Sequence, residues 1–175
     1  MQSTYQDLLA RRSCRKFTAD PVPKDLIEKV IEAGIYAPSG MGAQDVIIVA
    51  VTNRELRDRL STANAAVMGR PAGTDPFYGA PVVLVVLARK DWPTHVYDGS
   101  AAIGNMLNAA YALGLGSCWI HRAKEEFDQP EWKQLLADLG VEGDYEGIGH
   151  CILGYPAADP APAAPRKDDR VFWAE

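Results

Sequence analysis

Residues 81–88, Pro-Val-Val-Leu-Val-Val-Leu-Ala, form an unbroken apolar run rich in β-branched side chains. Successive side chains of a strand point to opposite faces, so a strand of this composition is apolar on both. It is stable only as an inner strand of a sheet with a layer packed on each side. Such a sheet needs helices with apolar stripes, and the rest of the chain supplies them. Leu26, Ile27, Val30, Ile31 and Gly34 share one face of a helix predicted over 24–36. Tyr5, Leu8 and Leu9 do the same for a short helix over 3–11. Asn53 is placed to cap a helix over 54–66, and Asp98 one over 99–113. The second of these is apolar almost all round, with Ala101, Ala102, Ala109 and Ala110 permitting close approach, so it belongs in a core or a subunit interface. A further helix is predicted over 129–139, and strands over 46–51 (buried), 115–120 and 148–153.

Pro21 and Pro23 break the chain, 38–43 reads as a loop after Pro38 stops a helix, and 68–78 is a loop rich in Pro and Gly. After Gly154-Tyr155-Pro156 the composition changes. Residues 157–165 are rich in Ala and Pro and cannot build a core; they read as an extended strap. It ends in Arg166, Lys167 and Val171-Phe172-Trp173, an apolar terminus suited to docking on a second subunit. At 175 residues, one domain with a strap over 155–175 is expected.

The net charge of −5 argues against nucleic acid or an anionic membrane as the main partner. Against that background Arg11, Arg12, Arg15 and Lys16 are a local basic cluster. No apolar run reaches membrane-spanning length, and Cys14, Cys118 and Cys151 are too few and too scattered for a disulfide framework. A reducing, cytoplasmic setting is expected.

Segments that could carry chemistry stand out in three places. If 13–17 is extended, Arg11, Ser13 and Arg15 share a face, and two guanidinium forks with a hydroxyl suit a phosphate monoester. The bland reading is a solvated end of the first helix. Pro38 to Ala43 is a run of small residues through which backbone N–H groups can approach a flat ring; a plain helix-to-strand connection is the alternative. Gly114 to Arg122 delivers a strand end to a turn, either as part of a site or as core. His150 and Cys151 are adjacent on a strand, face opposite ways and make a poor metal pair; no metal is expected. Glu125-Glu126 and Asp168-Asp169 read as solvated charges.

Taken in order, Arg11-x-Ser13-x-Arg15, Ala37-Pro38-Ser39-Gly40-x-x-x-Gln44, Ala80-Pro81-Val82, Gly114-Leu115-Gly116-Ser117-Cys118-Trp119, Gly154-Tyr155-Pro156 and the late Pro165-Arg166-Lys167 resemble the nitroreductase family of FMN-dependent oxidoreductases. The resemblance runs from about Leu9 to Arg166. It implies an α+β fold with a central mixed sheet flanked by helices, and a homodimer that exchanges its C-terminal straps and holds FMN at the interface. It matches Arg11, Ser13 and Arg15, with Arg12 in the same segment, to the FMN phosphate and ribityl contacts, and Arg166 to a late phosphate ligand. Pro38, Ser39 and Gly40 match the loop against the flavin ring, normally from the partner subunit; Met41 matches a position near the open ring face. Ile120, His121 and Arg122 match the segment whose backbone approaches flavin N5. Phe77 and Tyr78, in the 68–78 loop, are candidates for stacking on the acceptor, with packing of both beneath the next strand as the alternative.

The implied reaction is ping-pong. NAD(P)H gives hydride to N5 and leaves, and a nitroaromatic, quinone, enone or flavin takes the electrons; no catalytic side chain is assigned. The chain departs from the family pattern at Gly42, where Asn is frequent, at Asp45-Val46, where Pro-Trp is frequent, and at His121-Arg122, where Glu or Gly is frequent. The alternative class is a flavin-free or flavin-sensing dimer that only binds a ligand.

Overall fold

The apolar run does become an inner strand, and the reason is visible on both of its sides. A computed structural model describes residues 4–175. The helices are α1 (Thr4–Ala10), α2 (Lys24–Ile35), α3 (Arg54–Val67), α4 (His95–Ala112), α5 (Ala123–Phe127) and α6 (Pro130–Asp138). The strands are β1 (Val46–Val51), β2 (Val82–Arg89), β3 (Gly116–Ile120) and β4 (Tyr145–Gly154). They form one sheet in the order β1-β2-β4-β3. Every neighbouring pair is antiparallel, so the sheet is not mixed. Among the described residues the parallel pairing is a single bridge, Ser13 to Ser117, where the basic segment lies along β3.

Residues 82–88 are buried throughout. Leu84 and Val86 pack with Leu153, Val30, Ile103 and Met106 under α2 and α4. Val83, Val85 and Leu87 pack with Ile152, Leu60, Phe127 and Trp132 on the opposite face, under α3, α5 and α6. β1, expected to be buried, is the sheet edge and is mostly half-buried, because only one of its sides has a partner strand.

α3 is capped as its sequence predicts: the Asn53 side chain accepts from the Leu56 N–H at 2.9 Å. α4 starts one turn before Asp98, with Thr94 at its cap position, so Asp98 lies within the first turn. Its carboxylate accepts from other groups described below. Gly99 lets α4 close on β4, since a Cβ there would lie 2.5 Å from Ile148 Cγ1. α5 has only five residues and lay outside the predicted elements. Beyond Pro156 the chain is exposed to its end, including Arg166, Phe172 and Trp173. Among the described residues no helix is long and apolar enough to cross a membrane.

Candidate functional site

The basic segment leaves the C-terminus of α1 and lies along β3. The Cys14 N–H donates to the Ser117 carbonyl at 2.8 Å, which fixes the register. Cys14 then faces Gly116, where a Cβ would come within 2.8 Å of its Sγ; the glycine permits the close approach. With Cys14 turned inward, Ser13 and Arg15 on either side of it are exposed. Arg12 is engaged elsewhere: its Nη1 donates to the carbonyls of Leu9 (2.8 Å) and Arg11 (2.6 Å), tying off the end of α1. Arg11 Nη1 is buried and has no acceptor among the described residues. It sits near the core: burial and Cys118 push the Cys151 thiol up, and the Arg11 charge opposes them. Exposed Ser13 and Arg15 suit a phosphate, whereas the unpartnered Arg11 nitrogen is buried and Arg11 lines neither of the clefts at Arg15.

Arg15 stands between two clefts. One, of ≈ 480 Å³, is lined by Ser13, Lys16, Tyr111 and the start of the strap at 158–161. The other, of ≈ 560 Å³, is lined by Arg70, Tyr78, Trp119 and all of Ile120, His121 and Arg122. This second segment is held from behind. Asn64, fully buried on α3, donates from Nδ2 to the His121 carbonyl at 2.9 Å and accepts at Oδ1 from Arg122 Nε at 3.0 Å. His150 Nδ1 lies 3.2 Å from the Ile120 carbonyl, which can only accept, so Nδ1 carries a proton. Arg122 has φ 82, the left-handed region. Glu126, expected to be a solvated charge, is fully buried; its Oε2 lies 2.8 Å from His150 Nε2. The distance suits an ion pair, although the approach is not aligned for a hydrogen bond.

The loop over 38–44 is a separate construction. Gly40 packs against the Thr94 side chain, and its N–H donates to Asp98 Oδ1 at 3.0 Å. The Thr94 hydroxyl donates to Asp98 Oδ2 at 2.6 Å, and the Ser39 hydroxyl accepts from the Gln44 N–H at 3.0 Å. Met41, Gly42 and Gln44 all have positive φ, and Met41 is 95% exposed. Asp45, which follows the loop, is buried with neither carboxylate oxygen hydrogen-bonded. Burial, together with the neighbouring Asp98 carboxylate, pushes its carboxyl above the usual range, and the His95 charge only partly opposes them. Pro38, Ser39 and Gln44 line a cleft of ≈ 320 Å³ beside α2 and β1, distinct from the two at Arg15. One chain therefore carries the basic segment and the 120–122 turn together and the 38–41 loop apart.

Phe77 does not face a cleft. It is fully buried, with the His150 ring 5.2 Å away and the Arg57 guanidinium 5.5 Å above it. The alternative reading, packing beneath the strand, describes its position. Its half of the 68–78 loop is tied down by Asp75, which accepts from Arg57 Nη2 (2.6 Å), Ser61 (2.7 Å) and the N–H groups of Phe77 and Gly79. Burial alone would raise the Asp75 carboxyl; these donors outweigh it and hold the group below the usual range. Tyr78, at 42% exposure, is the aromatic of this loop that reaches a cleft. Arg166 is exposed and remote from any hydrogen-bond partner among the described residues. Asn64, Arg57 and Asp75 were not among the expected site residues. The first two had a signal: Arg57, Leu60, Ser61 and Asn64 recur at helical spacing on the buried face of α3, and three of these four are polar.

Comparison with known proteins joins these features. Residues 8–155 match the profile of the nitroreductase family. An NADPH-flavin oxidoreductase of Vibrio harveyi is 33% identical over 169 residues, covering 91% of this chain and 68% of the relative. The crystal structure of a nitroreductase with bound FMN from Bacteroides fragilis superposes with a TM-score of 0.87 at 30% identity, over 100% of both chains. A nitroreductase with bound FMN from Desulfitobacterium hafniense, at 24% identity and a TM-score of 0.87 over 100% of both chains, shares the fold.

Proposed function

The chain belongs to the nitroreductase family, and on that premise we propose that it is an FMN-dependent oxidoreductase that moves electrons from NAD(P)H to a small planar acceptor. The observation that carries the reading is exposed Ser13 and Arg15 in an extended basic segment, with Arg15 lining both neighbouring clefts and the 120–122 turn lining one of them. The residues present fit the cofactor. Arg11, Ser13 and Arg15 hold its phosphate and ribityl chain, and the backbone of 120–122 faces its ring. Bound FMN supplies a ring nitrogen, N5, that takes a hydride and passes on two electrons. The chain's own residues bind and orient. Arg122 adds positive charge beside the ring cleft, and no side chain is required as acid or base.

The second wall is the 38–41 loop. Because it lies apart from Arg15 within one chain, the proposal includes a homodimer in which each subunit's Pro38, Ser39 and Gly40 complete the other's site. Met41 lies at the mouth and Arg166 arrives on the strap. NAD(P)H and the acceptor, a nitroaromatic, quinone, enone or flavin, use this one cleft in turn, which makes the kinetics ping-pong. The whole chain acts as a single domain. A cytoplasmic setting is part of the reading, supported by three unpaired cysteines. The test is reconstitution. Purified protein, stripped of flavin and titrated with FMN, turns yellow at one FMN per chain, and NADPH or NADH bleaches it without an acceptor present. A colourless protein that FMN cannot reconstitute would instead establish the ligand-binding alternative.

A further inference from the structure

The 120–122 turn is gripped by its carbonyls. Ile120 C=O faces His150 Nδ1 and His121 C=O faces Asn64 Nδ2, and both of these side chains are fully buried. In a trans peptide the C=O and the N–H point in opposite directions. Drawing the two carbonyls inward therefore turns the N–H groups of His121 and Arg122 outward. Neither N–H has a partner among the described residues, and both residues line the cleft shared with Arg15. We propose, resting on the flavin reading above, that Asn64 and His150, the latter backed by Glu126, are positioning residues that hold the His121 and Arg122 amides toward the ring of FMN as preset donors.

Three features favour this over plain core packing. Apolar residues at these positions would pack at least as stably, because a buried ion pair seldom outweighs its desolvation. Asn64 uses both ends of its amide on the same turn, one on backbone and one on the Arg122 side chain. Arg122 keeps a left-handed φ of 82 at a non-glycine position, a conformation that persists where surroundings hold it. The Glu126–His150 pair has an evident task in this arrangement. The Glu126 carboxylate lies 2.8 Å from Nε2, on the side of the ring away from Ile120, so Nδ1 stays turned to the Ile120 carbonyl. Phe77 closes the ring from the other side at 5.2 Å. Preset donors stabilise whichever state of the ring carries more negative charge, which is the reduced state.

Two measurements test this. In the intact protein, hydrogen exchange at the His121 and Arg122 amides is followed with and without saturating FMN; it should slow at least tenfold at one or both. The midpoint potential of bound FMN is then measured in Asn64→Leu and in the double variant Glu126→Leu/His150→Phe, which replaces both members of the pair by apolar groups. Each should weaken binding of reduced relative to oxidised FMN by about tenfold, a fall of about 30 mV for a two-electron couple. Leu60→Ala, a core change on the same helix, should lower the melting temperature and leave the potential in place. Amide exchange indifferent to FMN, or a potential unmoved in both variants, overturns the proposal. Should these variants fail to fold, Asn64→Ala, which removes the donor to the His121 carbonyl without adding bulk, is measured in their place. A chain that binds no FMN defeats the flavin reading and this inference with it, whereas bound FMN with an unmoved potential defeats only this one.

Discussion

Arg11 and Arg12 are neighbours with different commitments. Arg12 gives its Nη1 to the carbonyls of Leu9 and Arg11, although its Nε, like Arg11 Nη1, is buried without an acceptor among the described residues. Arg11→Ala, like Arg15→Ala, should weaken FMN binding at least tenfold, as expected for losing a charged hydrogen bond of roughly 1.5–3 kcal/mol. Arg12→Ala should mainly loosen the end of α1. Fluorescence titration separates them, and equal losses in flavin affinity would remove the distinction. Asp45 gives a second test. Its carboxyl is raised in the fold, so the folded state favours the protonated form. The sign follows: stability is greatest below the ordinary carboxylate pKa of about 4 and declines as pH rises through the raised folded value. Asp45→Asn, which removes the buried charge, should therefore stabilise the protein at pH 7, and the gain should vanish in acid, where Asp45 is neutral too. Melting curves from pH 3 to about pH 8 show whether it does. The alternation of Ser13, Cys14 and Arg15 was legible in the sequence because it depends only on strand geometry. Phe77 and Glu126 were not. Nothing local distinguishes an aromatic that stacks on a ligand from one covered by Arg57, or a solvated glutamate from one buried against a histidine that is distant in sequence and adjacent in space.

At the scale of elements, the inner strand could be read directly, since an apolar run of that length has few alternatives. β1 has the predicted bounds but is an edge strand, because the order of strands is set by pairings distant in sequence. The antiparallel sheet escaped for the same reason. α4 begins at His95, not Gly99, because Asp98 serves the Gly40 N–H and the Thr94 hydroxyl in place of capping its own helix. α5 is too short to show a period and is held by contact: Gly147 lies directly against the Ala123 backbone carbonyl, leaving no room for a Cβ. Gly147→Ala should push α5 off β4 at a cost of about 1–3 kcal/mol, typical of overpacking. Since α5 follows the 120–122 turn, FMN affinity should fall along with the melting temperature. Lost stability with full affinity would show that the turn is held independently of α5.

At the scale of the molecule, much apolar surface is left without cover. Tyr5, Leu8 and Leu9 on α1, Ile35 and Tyr36 at the end of α2, and Phe172 and Trp173 on the strap are all at least half exposed. The resemblance foretold a dimer, and these side chains are what it would bury. Ending the chain after Pro156 should weaken both self-association and FMN retention, because Arg166 is lost with the strap; light scattering and flavin content report the two. Intact protein that scatters as a flavin-loaded monomer would end the dimer reading. The separation of the 38–41 loop from Arg11 and Arg15 also has a genetic consequence. A chain disabled at Arg11→Ala and another disabled at Gly40→Val, whose side chain would strike Thr94, each fail alone. Unfolded together and refolded as mixed pairs, they should complement. Each hybrid unites one sound arginine segment with one sound loop, so random pairing returns activity to about one site in four, from two proteins that have none.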